Sequence, residues 1–165
     1  MLLEGSCHCE AVRFRVNSPS PYPYLACYCT ICRKTAGGGG YAINLGALSE
    51  TLEVEGAENV SVYQAHAKGV EDTSRTSVNP AQWNFCRVCG SSLWVYSPRW
   101  PELVHPFASA VDTPLPEPPE KVRMMLNYAA PWCEIPENGN ERHFPEFPDE
   151  SLEEWHRRHG LYGES

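Results

Sequence analysis

The 165-residue sequence predicts a mainly β protein, small enough to form one domain, with short strands folded over one another as antiparallel sheets. Three observations predict it. Short apolar or alternating runs recur up to residue 126, with Gly, Pro, Asn and Ser between them. Hydrophobic residues make up 42% of the chain, which supports a packed core and excludes disorder throughout. Seven of the 8 cysteines fall into three tight clusters, the kind of staple that a modest β core uses.

Residues 10–16 alternate cleanly: Val12, Phe14 and Val16 face one way, and Arg13 and Arg15 the other. Further strands are expected at 24–28, 41–45, 51–54, 60–64, 84–86, 92–96, 103–107 and 122–126. Thr30–Ala36 reads as one or two helical turns. Prolines crowd residues 112–148, and each removes a backbone donor, so most of that stretch is expected to lie as extended loop. Ser151-Leu152-Glu153-Glu154 is a capping box, in which the Ser side chain accepts from the Glu154 backbone and Glu154 reaches back. Leu152, Trp155, His156 and His159 then recur at helical spacing, and Gly160 closes the helix. Residues 1–132 thus form the β domain, and 133–165 a Pro-rich tail and helix packed on it. Trp83, Trp94, Trp100 and Trp132 are expected in the core.

The clusters are Cys7/Cys9, Cys27/Cys29/Cys32 and Cys86/Cys89. In a strand, residues i and i+2 face one side, so Cys7/Cys9 and Cys27/Cys29 can each aim two sulfurs at one site. Cys86-x-x-Cys89-Gly90 is the turn form of the same device, with Gly90 free to take a positive φ. Pairing Cys7 and Cys9 with Cys86 and Cys89 makes a closed four-thiolate zinc site, which ties the chain's start to its middle. Cys27, Cys29 and Cys32 then hold a second zinc with one position open, where chemistry takes place. Arg33 and Lys34 follow directly, as surface cations or as partners for an anionic ligand. Gly37–Gly40 lets a ligand approach the backbone closely, or is simply a loop. Asp112 is a candidate polar group near the pocket. Cys133 is either a fourth ligand or a buried inert thiol. His8, sandwiched between two ligands, is expected to point away, while His66, His105 and His143 are weak candidates for metal or substrate contact.

Charge narrows the partners. Net charge is −8 and no Lys/Arg block occurs, so a nucleic-acid footprint is missing. No stretch approaches the ~20 apolar residues of a membrane helix. The start carries no signal peptide, so a cytoplasmic location is expected, and there clustered cysteines favour metal over disulfides.

Three strings carry a further expectation: Gly5-Ser6-Cys7-His8-Cys9-Glu10-Ala11-Val12-Arg13-Phe14, Cys27-Tyr28-Cys29-Thr30-Ile31-Cys32-Arg33-Lys34 and Phe85-Cys86-Arg87-Val88-Cys89-Gly90-Ser91-Ser92-Leu93. Together they resemble the glutathione-dependent formaldehyde-activating enzyme family, which includes centromere protein V. Tyr28 stands where members often carry His. The resemblance spans about Gly5 to Trp132 and implies a β-tent fold with two zincs per chain. It implies that Cys7, Cys9, Cys86 and Cys89 are structural, and that Cys27, Cys29 and Cys32 hold the functional zinc. The implied activity is a carbon–sulfur lyase reaction, making or cleaving S-hydroxymethylglutathione or a related thiol adduct. The competing readings are a non-catalytic zinc-stapled binding module and a redox or zinc-transfer protein.

Overall fold

The structure, a computed structural model, describes residues 1–65, 80–137 and 139–161. The chain runs β1 (Leu2–Ser6), β2 (Arg13–Asn17), β3 (Leu25–Cys27), α1 (Thr30–Ala36), β4 (Ala42–Asn44), β5 (Ala47–Leu48) and β6 (Glu53–Glu55). It continues through β7 (Val60–Tyr63), β8 (Gln82–Cys86), β9 (Ser92–Tyr96), β10 (Leu103–Pro106), β11 (Lys121–Met124), β12 (Glu141–His143) and α2 (Leu152–Arg158). The strands make three sheets, ordered β1-β2-β6, β5-β10-β9-β8-β7 and β12-β11-β3-β4. Single bridges tie Gly5 of β1 to Val111 and Asn44 of β4 to Phe107, both in the segment after β10. The expected mainly β class therefore holds.

Most ladders are antiparallel, but β11 pairs parallel with both β3 and β12. Parallel neighbours need long crossovers. Here the chain leaves β3 early and returns only at residue 121, after the other two sheets are built. The alternation in β2 is as expected: Phe14 and Val16 are buried, while Arg13 and Arg15 are exposed. Phe14 meets Trp94 edge-on at 5.4 Å between ring centroids, which locks the first sheet onto the second.

Two cores result. The first gathers Leu3, Val12, Phe14, Leu45, Leu93 and Trp94, together with Cys7 and Cys86. The second gathers Trp83, Phe107, Val122, Phe144 and Trp155, together with Cys27 and Cys32. Each core therefore has a different cysteine group built into it. Trp100 and Trp132 lie outside both, at 47% and 63% exposed, which corrects their placement in the core.

The proline-rich stretch is not all loop. β11 and β12 form inside it, and β12 (Glu141–His143) adds as a parallel edge to β11, with Lys121 opposite Glu141. Three residues without a local partner leave no periodicity to read, so this strand was invisible before its neighbour was placed. The α2 capping box forms in both directions: the Glu154 N–H donates to Ser151 Oγ at 3.2 Å and the Ser151 N–H to Glu154 Oε2 at 2.7 Å. The helix buries Trp155, whose Nε1 donates to Glu120 Oε1 at 2.9 Å. Among the described residues no helix is long and apolar enough to cross a membrane.

Candidate metal centres and the adjoining groove

The sulfurs of Cys7, Cys9, Cys86 and Cys89 converge within 4.8 Å of one another, and so, separately, do those of Cys27, Cys29 and Cys32. All eight cysteines are free thiols. Cys7 and Cys9 Sγ are 3.6 Å apart, and Cys9 and Cys86 Sγ 3.9 Å. A disulfide needs about 2.05 Å. Tetrahedral thiolates with metal–sulfur bonds of about 2.3 Å stand about 3.8 Å apart, so this group has the spacing of a metal tetrahedron. Four soft donors and no carboxylate suit a thiophilic ion.

The local backbone differs from the expectation that the Cys-x-Cys pairs sit within strands. Cys7 leaves β1 into a turn, in which the Glu10 N–H donates to the Cys7 carbonyl at 2.9 Å and Glu10 takes φ 59°. Cys27 ends β3, and Cys29 is already the N-cap of α1. A turn aims backbone donors at sulfur, which a regular ladder would consume. Val12 N–H thus reaches Cys7 Sγ at 3.3 Å, and Cys32 N–H reaches Cys29 Sγ at 3.3 Å. Gly90 closes the third turn at φ 78°, as its position suggests, and its N–H donates to the Cys86 carbonyl at 2.8 Å.

In each group one cysteine is pulled toward its thiolate form. Cys29 is lowered to about 3, chiefly by the thiols of Cys27 and Cys32 donating to it. That arrangement pushes Cys27 up to about 12 through Cys29, and raises Cys32 well above its ordinary value through Cys27 and Cys29. In the other group Cys89 is lowered to about 5, first by the Ser91 hydroxyl. Cys9 is helped by a backbone bond from Ala11, yet burial and the neighbouring thiols outweigh it and drive it to about 12. Metal binding therefore has to displace protons at both centres.

An open groove of about 640 Å³ adjoins the four-cysteine group through Cys7. Arg33, Lys34, Gly37, Gly38, Asp112 and Cys7 are in its wall. None of Cys27, Cys29 and Cys32 lines it. The three-cysteine group and the groove share α1 instead, whose seven residues span about 10 Å. Cys29 and Cys32 occupy one end of the helix, and Arg33 through Ala36 wall the groove. The Nε of Arg33 is buried and has no hydrogen-bond partner among the described residues. Across the groove, Asp112 accepts from Ser6 Oγ at 2.7 Å. Arg33, Lys34, Gly37 and Asp112 thus share the wall of one groove. Gly40 does not: its φ is 94°, and an added Cβ would stand 2.5 Å from Cys133 Sγ.

Cys133 does not join the second group. Its thiol is half-buried rather than buried and donates to the Gly39 carbonyl at 3.3 Å. His8 is exposed, as expected, and no histidine joins either group among the described residues. Burial lowers the pKa of His105 below its ordinary value, and its Nδ1 lies 3.1 Å from the Leu45 carbonyl oxygen. His143 sits 3.5 Å from Glu141, and His66 lies outside the described residues. The sequence reading missed Arg123 and Glu141, which meet behind Tyr28. The only signal was a lone cation inside the apolar run Val122-Arg123-Met124.

Fold and site define a small β protein with a four-cysteine and a three-cysteine sulfur nest, each of which could hold a metal ion. The sequence profile described as "Glutathione-dependent formaldehyde-activating enzyme" matches residues 2–125. The chain is 58% identical over 161 residues to a Halomonas elongata protein named "Putative glutathione-dependent formaldehyde-activating enzyme", covering 98% of both. A crystal structure of a Rhodobacter sphaeroides protein superposes with a TM-score of 0.51 at 29% identity, covering 68% of this chain and 91% of that one. The chain belongs to the glutathione-dependent formaldehyde-activating enzyme family.

Proposed function

We propose that the chain is a zinc-dependent carbon–sulfur lyase-type enzyme that makes or cleaves a glutathione–formaldehyde adduct or a closely related thiol adduct. The observation that carries it is the unequal grouping of sulfur: four converging cysteines at one centre and three at the other, with no fourth cysteine, histidine or carboxylate completing the second among the described residues. In this reading Cys7, Cys9, Cys86 and Cys89 hold a structural zinc, and Cys27, Cys29 and Cys32 a zinc open to ligand. Zinc bound there would lower the pKa of an incoming thiol and hold it as thiolate.

The chain's own residues then bind and orient. Arg33 and Lys34 offer cations to the carboxylates of a glutathione-like tripeptide, and the orphaned Arg33 Nε supplies a donor that such a carboxylate would satisfy. Asp112 faces them as an acceptor for an ammonium. In this reading the charged ends of the tripeptide lie in the groove and its sulfur is directed to the three-cysteine centre, which shares α1 with the groove wall. In synthesis the thiolate sulfur attacks the formaldehyde carbon, a C–S bond forms, and the carbonyl π pair moves to oxygen, which takes up a proton. Cleavage is the reverse. Free thiols throughout the chain suit a reducing, cytoplasm-like compartment.

The test is the exchange rate between formaldehyde, glutathione and their adduct, measured by NMR with wild type and Cys32→Ala, with zinc content determined on the same samples. We expect two zincs and accelerated exchange in wild type, and one zinc with only the uncatalysed rate in Cys32→Ala. Equal rates with both proteins would remove the enzyme reading and leave a zinc-stapled binding module.

A further inference from the structure

Cys27 and Cys29 flank Tyr28, so whatever pins Tyr28 pins both sulfurs. Tyr28 is fully buried. Its N–H donates to the Met124 carbonyl at 3.0 Å, and its hydroxyl accepts from Arg123 Nη1 at 2.6 Å. Arg123 is only 7% exposed and turns its other nitrogens to Glu141, Nε to Oε2 at 2.6 Å and Nη2 to Oε1 at 2.9 Å. Tyr41 stacks against Tyr28 at 5.0 Å and lies under the Arg123 guanidinium at 5.8 Å. Glu141 stands on β12, beyond the 2–125 region that the family profile matches.

A buried ion pair is a poor way to gain stability. Well-packed apolar residues of similar volume are often as good or better, because desolvating two charges offsets their attraction. What a bidentate guanidinium–carboxylate pair supplies is direction. Here that direction ends on a phenol one residue from two sulfurs.

We propose that Glu141, Arg123 and Tyr28 are positioning residues for the three-cysteine centre: through them the C-terminal segment sets the separation and direction of the Cys27 and Cys29 sulfurs. The inference rests on the reading that Cys27, Cys29 and Cys32 hold a metal ion. Glu141 fixes Arg123, Arg123 fixes the Tyr28 hydroxyl, and the peptide carrying Tyr28 cannot rotate without moving a sulfur on either side. Outer partners of metal ligands commonly change metal affinity about 10- to 100-fold when removed.

The experiment loads the full-length chain with Co²⁺ and records thiolate-to-cobalt absorption, stoichiometry and competition by a chelator. Wild type is compared with Tyr28→Phe, Glu141→Gln and Glu120→Gln. Glu120→Gln weakens a different tail anchor, the contacts with Trp155 and Arg158, which do not involve Tyr28. We expect two cobalts in wild type. Tyr28→Phe and Glu141→Gln should weaken the more labile cobalt about 10-fold and shift its bands, leaving the tighter one unchanged. Glu120→Gln should lower Tm but leave both affinities and the spectrum alone. The proposal is overturned if Tyr28→Phe keeps the wild-type spectrum and affinity, or if Glu120→Gln moves them as far as Glu141→Gln does. A wild-type chain that takes up one cobalt overturns the metal reading itself, and this is seen before any variant is compared. Should Glu141→Gln fail to fold, Tyr28→Phe, which keeps the ring, decides alone.

Discussion

The four-cysteine group joins two turns near the surface, with Cys9 and Cys89 exposed and Cys7 and Cys86 buried in the first core. The three-cysteine group is more deeply set: Cys27 and Cys32 belong to the second core, and only Cys29 is partly open. The complete centre is thus the more exposed one, and the incomplete centre the more enclosed. A metal wrapped by four thiolates needs no further protection from ligands, because it has no vacancy. An ion with a free position would have to be shielded from all but the intended molecule, and the burial of Cys27 and Cys32 suits that. The supports differ accordingly. The first centre relies on tight local turns and the antiparallel β1–β2 and β8–β9 pairs. The second relies on β3 lying against β11, and β11 against β12.

Losing a ligand from the complete centre should have the largest effect. Cys86→Ser should abolish the cooperative fold, because a structural metal contributes about 10–16 kcal/mol and a domain's whole stability is about 5–15 kcal/mol. Circular dichroism and metal analysis of the purified variant would show it, and a folded Cys86→Ser with one metal would reverse the roles of the two centres.

Next comes the tail. Trp155→Ala empties a site that is 1% exposed in the second core. It should cost about 3–5 kcal/mol. Hydrogen exchange should show β3 and β11 losing protection while β1 and β2 keep theirs; uniform loss would mean that the two cores are one cooperative unit.

Acid should separate the regions in the same sense. Glu141 is depressed below its ordinary 4.5, first by Arg123, and Glu120 first by Arg158. A depressed carboxylate stabilises fully above its unfolded value and loses that contribution as pH falls through the lower folded value. The stability gap between wild type and Glu141→Gln should therefore stay constant from pH 7 to about 5 and shrink below about 4. Denaturant melts across that range would reveal a constant gap if the pair contributes nothing through its charge.

The smallest effect is expected from Arg15→Ala, which cuts an exposed pair with Glu53 at 2.6 Å on the sheet behind the first centre. Its cost should be about 0–1 kcal/mol. A larger loss in urea melts would show that this outer face braces the four-cysteine turns.

The first centre was largely legible in the sequence. Cys7, Cys9, Cys86 and Cys89 announce it by spacing, and Gly90 announces the turn. Val12, Phe14 and Val16 announce the strand behind it by alternation. Helix ends were legible for the same reason: Ser151 and Glu154 act on each other across one turn. What could not be read were partnerships between distant segments. The parallel register of Arg123 opposite Ala26, and of Lys121 opposite Glu141, leaves no local periodicity. β5 has two residues and acquires its identity only from β10. The groove joins residues 6–8 and 10, 33–38, 90–92, and 109, 110 and 112, segments that do not point to one another in one dimension.

The parallel ladder also imposes an order on biosynthesis. A polypeptide leaving the ribosome amino end first has released every sulfur of the four-cysteine nest once Cys89 is out. Cys27, Cys29 and Cys32 emerge far sooner, yet the strand they rest on ends at Met124 and its outer neighbour begins at Glu141. The nest whose sulfurs are all released first is therefore the one whose supporting strands arrive last, so a nascent chain completes the four-cysteine group before the three-cysteine group has its full support.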